Sequence, residues 1–492
     1  MSGELKFLAF DLGAESGRAV LGRLSGEKLC LEDVHRFRNG GVSVGGRLHW
    51  DVLRLFEEMK EGLRMAVQTH GNDIASAGLD TWGVDFALLG PDDVLLDNPV
   101  SHRDSRTDGM LEEAWKIVPR AEIYEKTGIQ FMQLNTLYQM LALSRRNPWI
   151  LDSARTMLMM PDLLNFWFTG EKVNEFTEAT TTQFYNPRTG AWATDLLEKL
   201  GIPTHFLQRI VPPGTVLGKL RPSIAEETGA SAIPFVAPAT HDTGSAVAAV
   251  PATGRSHAYI SSGTWSLMGV ESTEPIINEK ALEFNITNEG GVAGTFRVLR
   301  NIMGLWLVQE CRRTWALSGK ELSYSQLTEM AASAEPFRSI VDPDNASFLK
   351  PGDMPARIRE FCAKSGQPIP ETEGAIVRTA LDSLALKYRF VLERLEMLTG
   401  GRLEPIHIVG GGIQSTLLCQ LTADVTGRPV VAGPVEATAI GNILVQAMGL
   451  GHVSSIEHLR EIVRNSFEMA TYEPVPSPRI EDAYSRFVKL IG

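Results

Sequence analysis

The chain is predicted to be an α/β protein of two lobes built on similar plans, with a cleft between them. Three features lead there. A strand–turn–strand opening at Phe7–Leu24 is repeated in plan by HAYISSGTWSLMGVES from His257. Strand-like runs alternate with amphipathic helical ones in both halves, the pattern of layered α/β folds. At 492 residues the chain is long enough for two to four domains at roughly 100–200 residues each.

Phe7–Asp11 reads as a strand, Gly13–Gly17 as a turn and Arg18–Leu24 as a second strand, so the opening is a hairpin. Residues 51–67 place Val52, Phe56, Met59, Leu63 and Val67 at helical spacing behind the N-capping type Asp51. Ile74–Thr81 follows as a buried strand. GVDFALLGPDDVLLDNPV then suggests another hairpin, two apolar runs about a Gly-Pro-Asp-Asp turn. From about 110 to 230 the pattern is mostly helix and loop, after which PFVAPAT is a strand and HDTGSAVAAV a small-residue helix. A boundary at 250–256 is expected to separate lobes of 1–250 and 251–492. In the second half a long helix near 374–399 carries Ile376, Leu384, Tyr388, Val391, Leu395 and Leu398. IHIVGGGIQSTLLCQLTADVTG then runs strand, glycines and helix in immediate succession, and 429–432 is a further strand before a helix opening near Glu436. A terminal helix packed on the second lobe closes the chain.

Composition narrows the function. With 47 Lys and Arg against 59 Asp and Glu the net charge is −12, which repels a phosphate backbone and disfavours broad nucleic-acid or anionic-membrane surfaces. The four cysteines, Cys30, Cys311, Cys362 and Cys419, are scattered without metal-ligand spacing, as free thiols in a reducing compartment are. The start lacks a signal-peptide pattern and no run of 18 apolar residues occurs, so a cytoplasmic location is expected.

Two turns are candidate phosphate cradles. DLGAESGR has glycines that let successive N–H groups converge on one point, although a tight hairpin turn requires the same residues. Asp11 at the strand end could hold the waters of Mg²⁺ or bond turn amides. SSGTW at 261–265 stands at the corresponding place in the second half. No P-loop is present, since Gly218-Lys219 and Gly319-Lys320 are followed by Leu220 and Glu321. Gly410–Gly412, between strand and helix, could admit a flat adenine ring or simply make a turn. A dinucleotide fold fits less well, because Glu436 lies 24 residues beyond Gly412 and at a helix start.

Asp242 in ATHDTGS lies where a strand enters a helix, as an N-cap or as an acceptor for the proton of an attacking hydroxyl. His241 could bond a sugar hydroxyl or pack. Asp80, Trp82 and Asp85 around Gly83 offer the aromatic face and acceptors that polyols favour, or else a core tryptophan and a strand end. A Ser-His-Asp hydrolase is disfavoured because no G-x-S-x-G elbow occurs. The pairs Arg145-Arg146 and Arg312-Arg313 read as solvated helix faces.

Together DLGAESGR, GLDTWGVDF, ATHDTGS, SSGTWSLMG and VGGGIQS resemble the FGGY carbohydrate kinases, of the actin/hexokinase/Hsp70-like superfamily. FRNGG…LHWD, VSHRDSRTDG, GIQFMQLNTLYQ, TNEGG and RNIMGLWLVQE are similar to the branch of that family acting on L-rhamnulose. The resemblance runs from about residue 7 to about 450 and implies two actin-like (ribonuclease H-like) lobes and ATP-dependent phosphorylation of O1. It further implies that Ala14, Glu15, Ser16, Gly17, Arg18, Thr264, Gln309 and Gly411 bind ATP. Gly83, His241, Asp242, Thr243 and Asn301 would contact the sugar, with Asp242 as proton acceptor, and Mg²⁺ would accompany ATP with Asp11 as its candidate residue. Glu15 departs from the small or hydroxyl residue usual in the family. Its carboxylate about 4 Å from phosphate would be opposed by roughly 4 kcal/mol at an effective dielectric near 20, so its side chain is expected to point away. The rivals are a sibling kinase for another ketose or polyol such as xylulose or fuculose, a catalytically idle sensor, and an actin-like ATPase.

Overall fold

The computed structural model describes residues 3–491. Leu5–Leu12 is apolar almost throughout, and Phe7, Leu8, Ala9 and Phe10 are wholly buried, as a strand covered on both faces must be. It pairs antiparallel with Ser16–Ser25, from Leu5 opposite Leu24 to Leu12 opposite Gly17, and Lys28–Arg38 continues the meander. The helix Val52–His70, whose first turn is capped by the Asp51 carboxylate accepting from the Arg54 N–H, returns the chain to Ile74–Thr81. That strand lies parallel to the first, with Asp11 beside Asp80. Pro234–Ala237 adds parallel to it at Phe235 and Ala77, and Thr215–Lys219 closes the edge antiparallel. The sheet is thus six strands of the described residues, ordered from Thr215–Lys219 through Pro234–Ala237, Ile74–Thr81, Leu5–Leu12 and Ser16–Ser25 to Lys28–Arg38.

One expected hairpin is formed only in short form. Leu89 and Leu95 make an antiparallel bridge, with the Gly90 N–H donating to the Val94 carbonyl at 2.8 Å and the Leu96 N–H to the Leu88 carbonyl at 3.0 Å, while the full-length antiparallel partner of Phe86–Leu89 is Thr156–Met159. Pro91 and Asp92 begin a short 3₁₀ turn with Asp92 at φ 57°, which makes the connection between the two runs. The stretch expected to be helix and loop also contains short strand pairs, Asn174–Glu175 with Ile210–Val211 and Tyr185–Asn186 with Ala191–Trp192.

The second unit repeats the plan. Ala258–Ser262 and Trp265–Ser272 form the hairpin, Ile406–Val409 and Val430–Ala432 add parallel, and Ala470–Tyr472 closes antiparallel. Gly410–Gly412 does not lead straight into a helix: Gly411–Gln414 is a 3₁₀ turn, and the helix Thr416–Thr426 starts only after Ser415, which caps it. The helix Glu373–Thr399 packs along Thr416–Thr426, and the terminal helix Pro478–Ile491 is tied to it by Arg389 to Glu481 at 2.7 Å.

The compact units depart from two contiguous halves. The first holds the residues up to Pro251 together with Glu271–Val298 and Ala437–Ser466, and the second holds Ala252–Val270, Leu299–Glu436 and the residues from Phe467 on. The helix Ala437–Gly449 explains the return. It is buried over most of its surface, and its small residues let it lie directly on Asp242–Ala248, where a Cβ on Gly441 would stand 1.8 Å from the Ser245 carbonyl oxygen. Its Gln446 donates to the Leu8 carbonyl at 3.1 Å and accepts from the Ser76 hydroxyl at 2.7 Å, so it also covers the sheet.

Candidate active site

Three parallel strands of the first unit end together, and their carboxyl ends carry the acids singled out in the sequence. Asp11 and Asp80 are neighbours across the ladder, and the Thr81 N–H donates to the Thr240 carbonyl at 2.8 Å, which sets His241 and Asp242 beside them. Such edges collect ligands in α/β sheets, because the strands stop there and the following turns leave a crevice.

His241 is the N-cap of the helix Asp242–Ala248 and Asp242 its first residue. One Asp242 oxygen, Oδ1, accepts from the Thr243 N–H and, at 3.1 Å, from the Thr243 hydroxyl, and lies 3.5 Å from His241 Nε2. Oδ2 makes none of these contacts, and the side chain keeps 32 % of its surface exposed. Burial pushes the Asp242 carboxyl above the usual carboxylate range and the nearby Asp11 adds to this, while His241 and the Thr243 donors act in the opposite direction. Asp80 is fully buried and raised well above that range, by burial first and by Asp11 next, against the hydrogen bond from Asn442 at 2.6 Å.

Gly83 borders this edge. A Cβ there would stand 3.1 Å from Thr181 Cγ2 and 3.3 Å from His241 Nε2, so only glycine leaves the space beside the imidazole open. Its neighbours are occupied elsewhere. Trp82 is buried and lies against Trp50 with ring centroids 4.1 Å apart. The wholly buried Asp85 accepts from Trp50, Trp82 and His102 at 2.6, 2.9 and 2.9 Å. Burial would raise its carboxyl, but His102 and the two indole donors outweigh that and hold it below the usual range. Asp80, Trp82 and Asp85 therefore anchor the turn, and Gly83 is the half-buried part of the motif that lies against His241. Val84, β-branched yet at φ 70°, is kept there by the Thr181 hydroxyl on its N–H and by Thr136 and Gln139 on its carbonyl.

In the first turn the Gly13 N–H closes on the Ser16 carbonyl at 2.8 Å, and the Asn39 N–H takes the Glu15 carbonyl at 3.0 Å. Ala14, Glu15 and Ser16 are open to solvent to differing degrees, while Gly17 is buried where Phe37 leaves no room for a side chain. Arg18 does not reach out from the turn: its Nε and a terminal nitrogen donate to Asp11 Oδ2 at 3.0 and 2.7 Å. Asp11 is accordingly committed to that pair, rather than standing unpaired at the strand end.

In the second unit, Gly304 and Trp306 donate to the Thr264 carbonyl, each at 3.1 Å, which seats the helix Trp306–Leu317 against the second turn. Gln309, one turn along that helix, has its Oε1 buried without a partner among the described residues. Gly410, at φ 86°, and Gly412 approach Ser262 so closely that a Cβ on either would meet it at 3.0 Å or less, leaving Gly411 exposed at the rim. Thr264, Gln309 and Gly411 are thus gathered about one turn system, while Asn301 lies on the part of the strand Phe296–Met303 that belongs to this unit. Sequence reasoning missed Asn442, Gln139 and Arg297, which act on the site through hydrogen bonds from distant segments and carry no motif of their own.

Two turns of like construction on two sheets of like strand order, with acids at the strand ends of one, define a sugar-kinase architecture. The N-terminal domain of the FGGY family of carbohydrate kinases matches residues 6–249 and its C-terminal domain residues 258–450, and the chain belongs to that family. Among individual proteins it is 46% identical over 481 residues to the rhamnulokinase of Bacteroides thetaiotaomicron, covering 98% of each chain. It is 44% identical over 468 residues to that of Oceanobacillus iheyensis, covering 95% of this chain and 98% of the relative. The solved gluconate kinase of Lactobacillus acidophilus shares the fold at a TM-score of 0.80 with 18% identity, over 99% of this chain and 97% of that one. The xylulose kinase of Rhodospirillum rubrum does so at 0.77 with 20% identity over the same shares. The chain is a carbohydrate kinase, and among the described residues no helix is long and apolar enough to cross a membrane.

Proposed function

We propose that the chain transfers the γ-phosphoryl group of ATP to O1 of L-rhamnulose, with Asp242 as the proton acceptor. The observation that carries the role of Asp242 is its divided carboxylate. Oδ1 is held by Thr243, whereas no hydrogen bond is formed by Oδ2 among the described residues, and the side chain stays partly exposed. The sugar identity rests on the rhamnulokinase relatives, whose similarity spans 98% of the chain in the first case.

In this reading the sugar lies against Gly83, His241 and Thr243 of the first unit, and its hydroxyl points at Asp242 Oδ2. In a loose phosphoryl transfer the attacking hydroxyl loses its proton late, so the carboxylate's main tasks are to aim the oxygen in line and to take the proton as the new bond completes. In the first unit the backbone N–H groups of Ala14–Gly17 serve the phosphates, and in the second unit Thr264, Gln309 and Gly411 serve the nucleotide. Arg18 serves through Asp11 rather than by direct contact with phosphate. Asp11 adds to the raised proton affinity of both Asp80 and Asp242, and Asp80 Oδ1 has no hydrogen-bond partner among the described residues, which suits a nearby hydrated cation. Mg²⁺, bound with ATP, would supply charge neutralisation on the phosphates.

The test is ADP release by the purified protein with Mg-ATP across ketoses, aldoses and polyols. Strong selectivity for L-rhamnulose is expected. Preference for another sugar would overturn the substrate, and sugar-independent turnover would overturn the kinase reading of the site.

A further inference from the structure

His241 is held from behind by a residue outside every motif. Arg297 is wholly buried, its Nε donating to the Gly290 carbonyl at 2.7 Å. One terminal nitrogen lies 3.0 Å from His241 Nδ1 and 3.3 Å from Glu289 Oε2. Glu289 is also 3.4 Å from Nδ1, so the imidazole faces a guanidinium and a carboxylate on this side and Asp242 on the other.

The guanidinium has donors only and does not lose its proton. A nitrogen 3.0 Å from it can be bonded only as an acceptor, because an N–H there would set hydrogen against hydrogen. Turning the ring over would bring a carbon to the same place and leave the buried donor facing it. The ring hydrogen therefore belongs on Nε2, which looks toward Gly83 and Asp242.

We propose that Arg297 is a positioning residue that fixes His241 as its Nε2–H tautomer, so that the ring meets the sugar as a hydrogen-bond donor beside the proton-accepting carboxylate. A donor adjacent to an acceptor suits a terminus in which a hydroxyl on C1 gives its proton while the oxygen on C2 accepts one. Both the carbonyl of an open ketose and the ring-form hydroxyl can accept in this way. The inference rests on the reading of the Asp242 edge as the sugar site.

The experiment is nitrogen–proton correlation NMR of histidine-labelled full-length protein, with His241→Gln assigning the signal, followed by kinetics of Arg297→Met and Arg297→Lys. The wild type is expected to show a protonated Nε2 and an acceptor Nδ1. Arg297→Met should blur that tautomer and raise the sugar KM by about tenfold or more with ATP affinity little changed, the loss of a directed hydrogen bond. Arg297→Lys should restore part of both. A protonated Nδ1 in the wild type would make Glu289 the partner and overturn the proposal, and this readout stands even where Arg297→Met does not fold. A tautomer that depends on Arg297 while neither Arg297→Met nor His241→Gln moves the sugar KM would refute the sugar-site reading, leaving the control of His241 by Arg297 intact.

Discussion

Gly441→Ala probes the contact on which the helix bearing the proposed proton acceptor rests. The new Cβ would stand 1.8 Å from the Ser245 carbonyl oxygen, which is backbone and cannot rotate away. Ordinary separation requires the helices Ala437–Gly449 and Asp242–Ala248 to part by on the order of 1 Å. Overpacking of this kind costs about 1–3 kcal/mol, and a backbone obstacle places the cost toward the upper end. The displaced helix begins with Asp242, and a misplacement of about 1 Å at a reacting group lowers turnover by roughly 10²-fold. Urea unfolding should therefore show a lower midpoint at unchanged slope, and kcat should fall far more than nucleotide affinity does. A variant with wild-type midpoint and wild-type kcat would refute the close approach and the coupling drawn from it.

Further outcomes follow from the same geometry. Asp242→Asn keeps the Thr243 contacts in shape but cannot take a proton, and should lose about 10²–10⁴-fold in kcat while calorimetry still detects ATP binding. Because burial raises the Asp242 carboxyl, the acid limb of kcat/KM should lie above the ordinary aspartate value of about 3.9, and a limb at or below it would count against Asp242 as the base. Glu178 is wholly buried and raised well above its usual range by burial, with Asp162, Glu175 and Asp242 adding to it. Its protonated form therefore favours the fold below the unfolded value of about 4.3, and that stability is lost as pH rises through the folded value. Glu178→Gln should accordingly be more stable than wild type in alkaline buffer, the difference shrinking toward acid, and an advantage independent of pH would contradict this. Glu15 is exposed and its carbonyl is engaged by Asn39, so Glu15→Ser should shift the ATP KM by less than about tenfold, the equivalent of 1.4 kcal/mol.

Sequence reading was most successful where a segment carries its own signal. The hairpin at Leu5–Ser25 is written in an apolar run and a glycine turn, and Val52–His70 in its spacing and its Asp51 cap. It failed where the partner of a segment is distant. Phe86–Leu89 has the look of a hairpin strand, yet it pairs with Thr156–Met159, a choice made by tertiary packing. At the site, Gly83 and Asp242 stand in short motifs, whereas the residues that hold them come from elsewhere. Val84 is clamped by Thr136, Gln139 and Thr181, Asp80 by Asn442, and His241 by Arg297. Their sequence surroundings are ordinary helix and strand. Even Arg18, in the turn itself, is turned back on Asp11, a pairing visible only once the two strands are set in register.

The return of Ala437–Ser466 to the first unit has a bearing on biosynthesis. While the first 250 residues leave the ribosome, the sheet they form has no Gln446 for Ser76 and Leu8, no Asn442 for Asp80, and no helix over Asp242–Ala248. Those groups wait until residues 437–466 have been made, at about 5–20 residues per second. For that interval an apolar face is exposed in a nascent protein whose own cover is encoded far downstream. An N-terminal fragment ending at the domain boundary should therefore aggregate where the chain of 492 residues does not, and supplying residues 271–298 and 437–466 as separate peptides should restore its solubility.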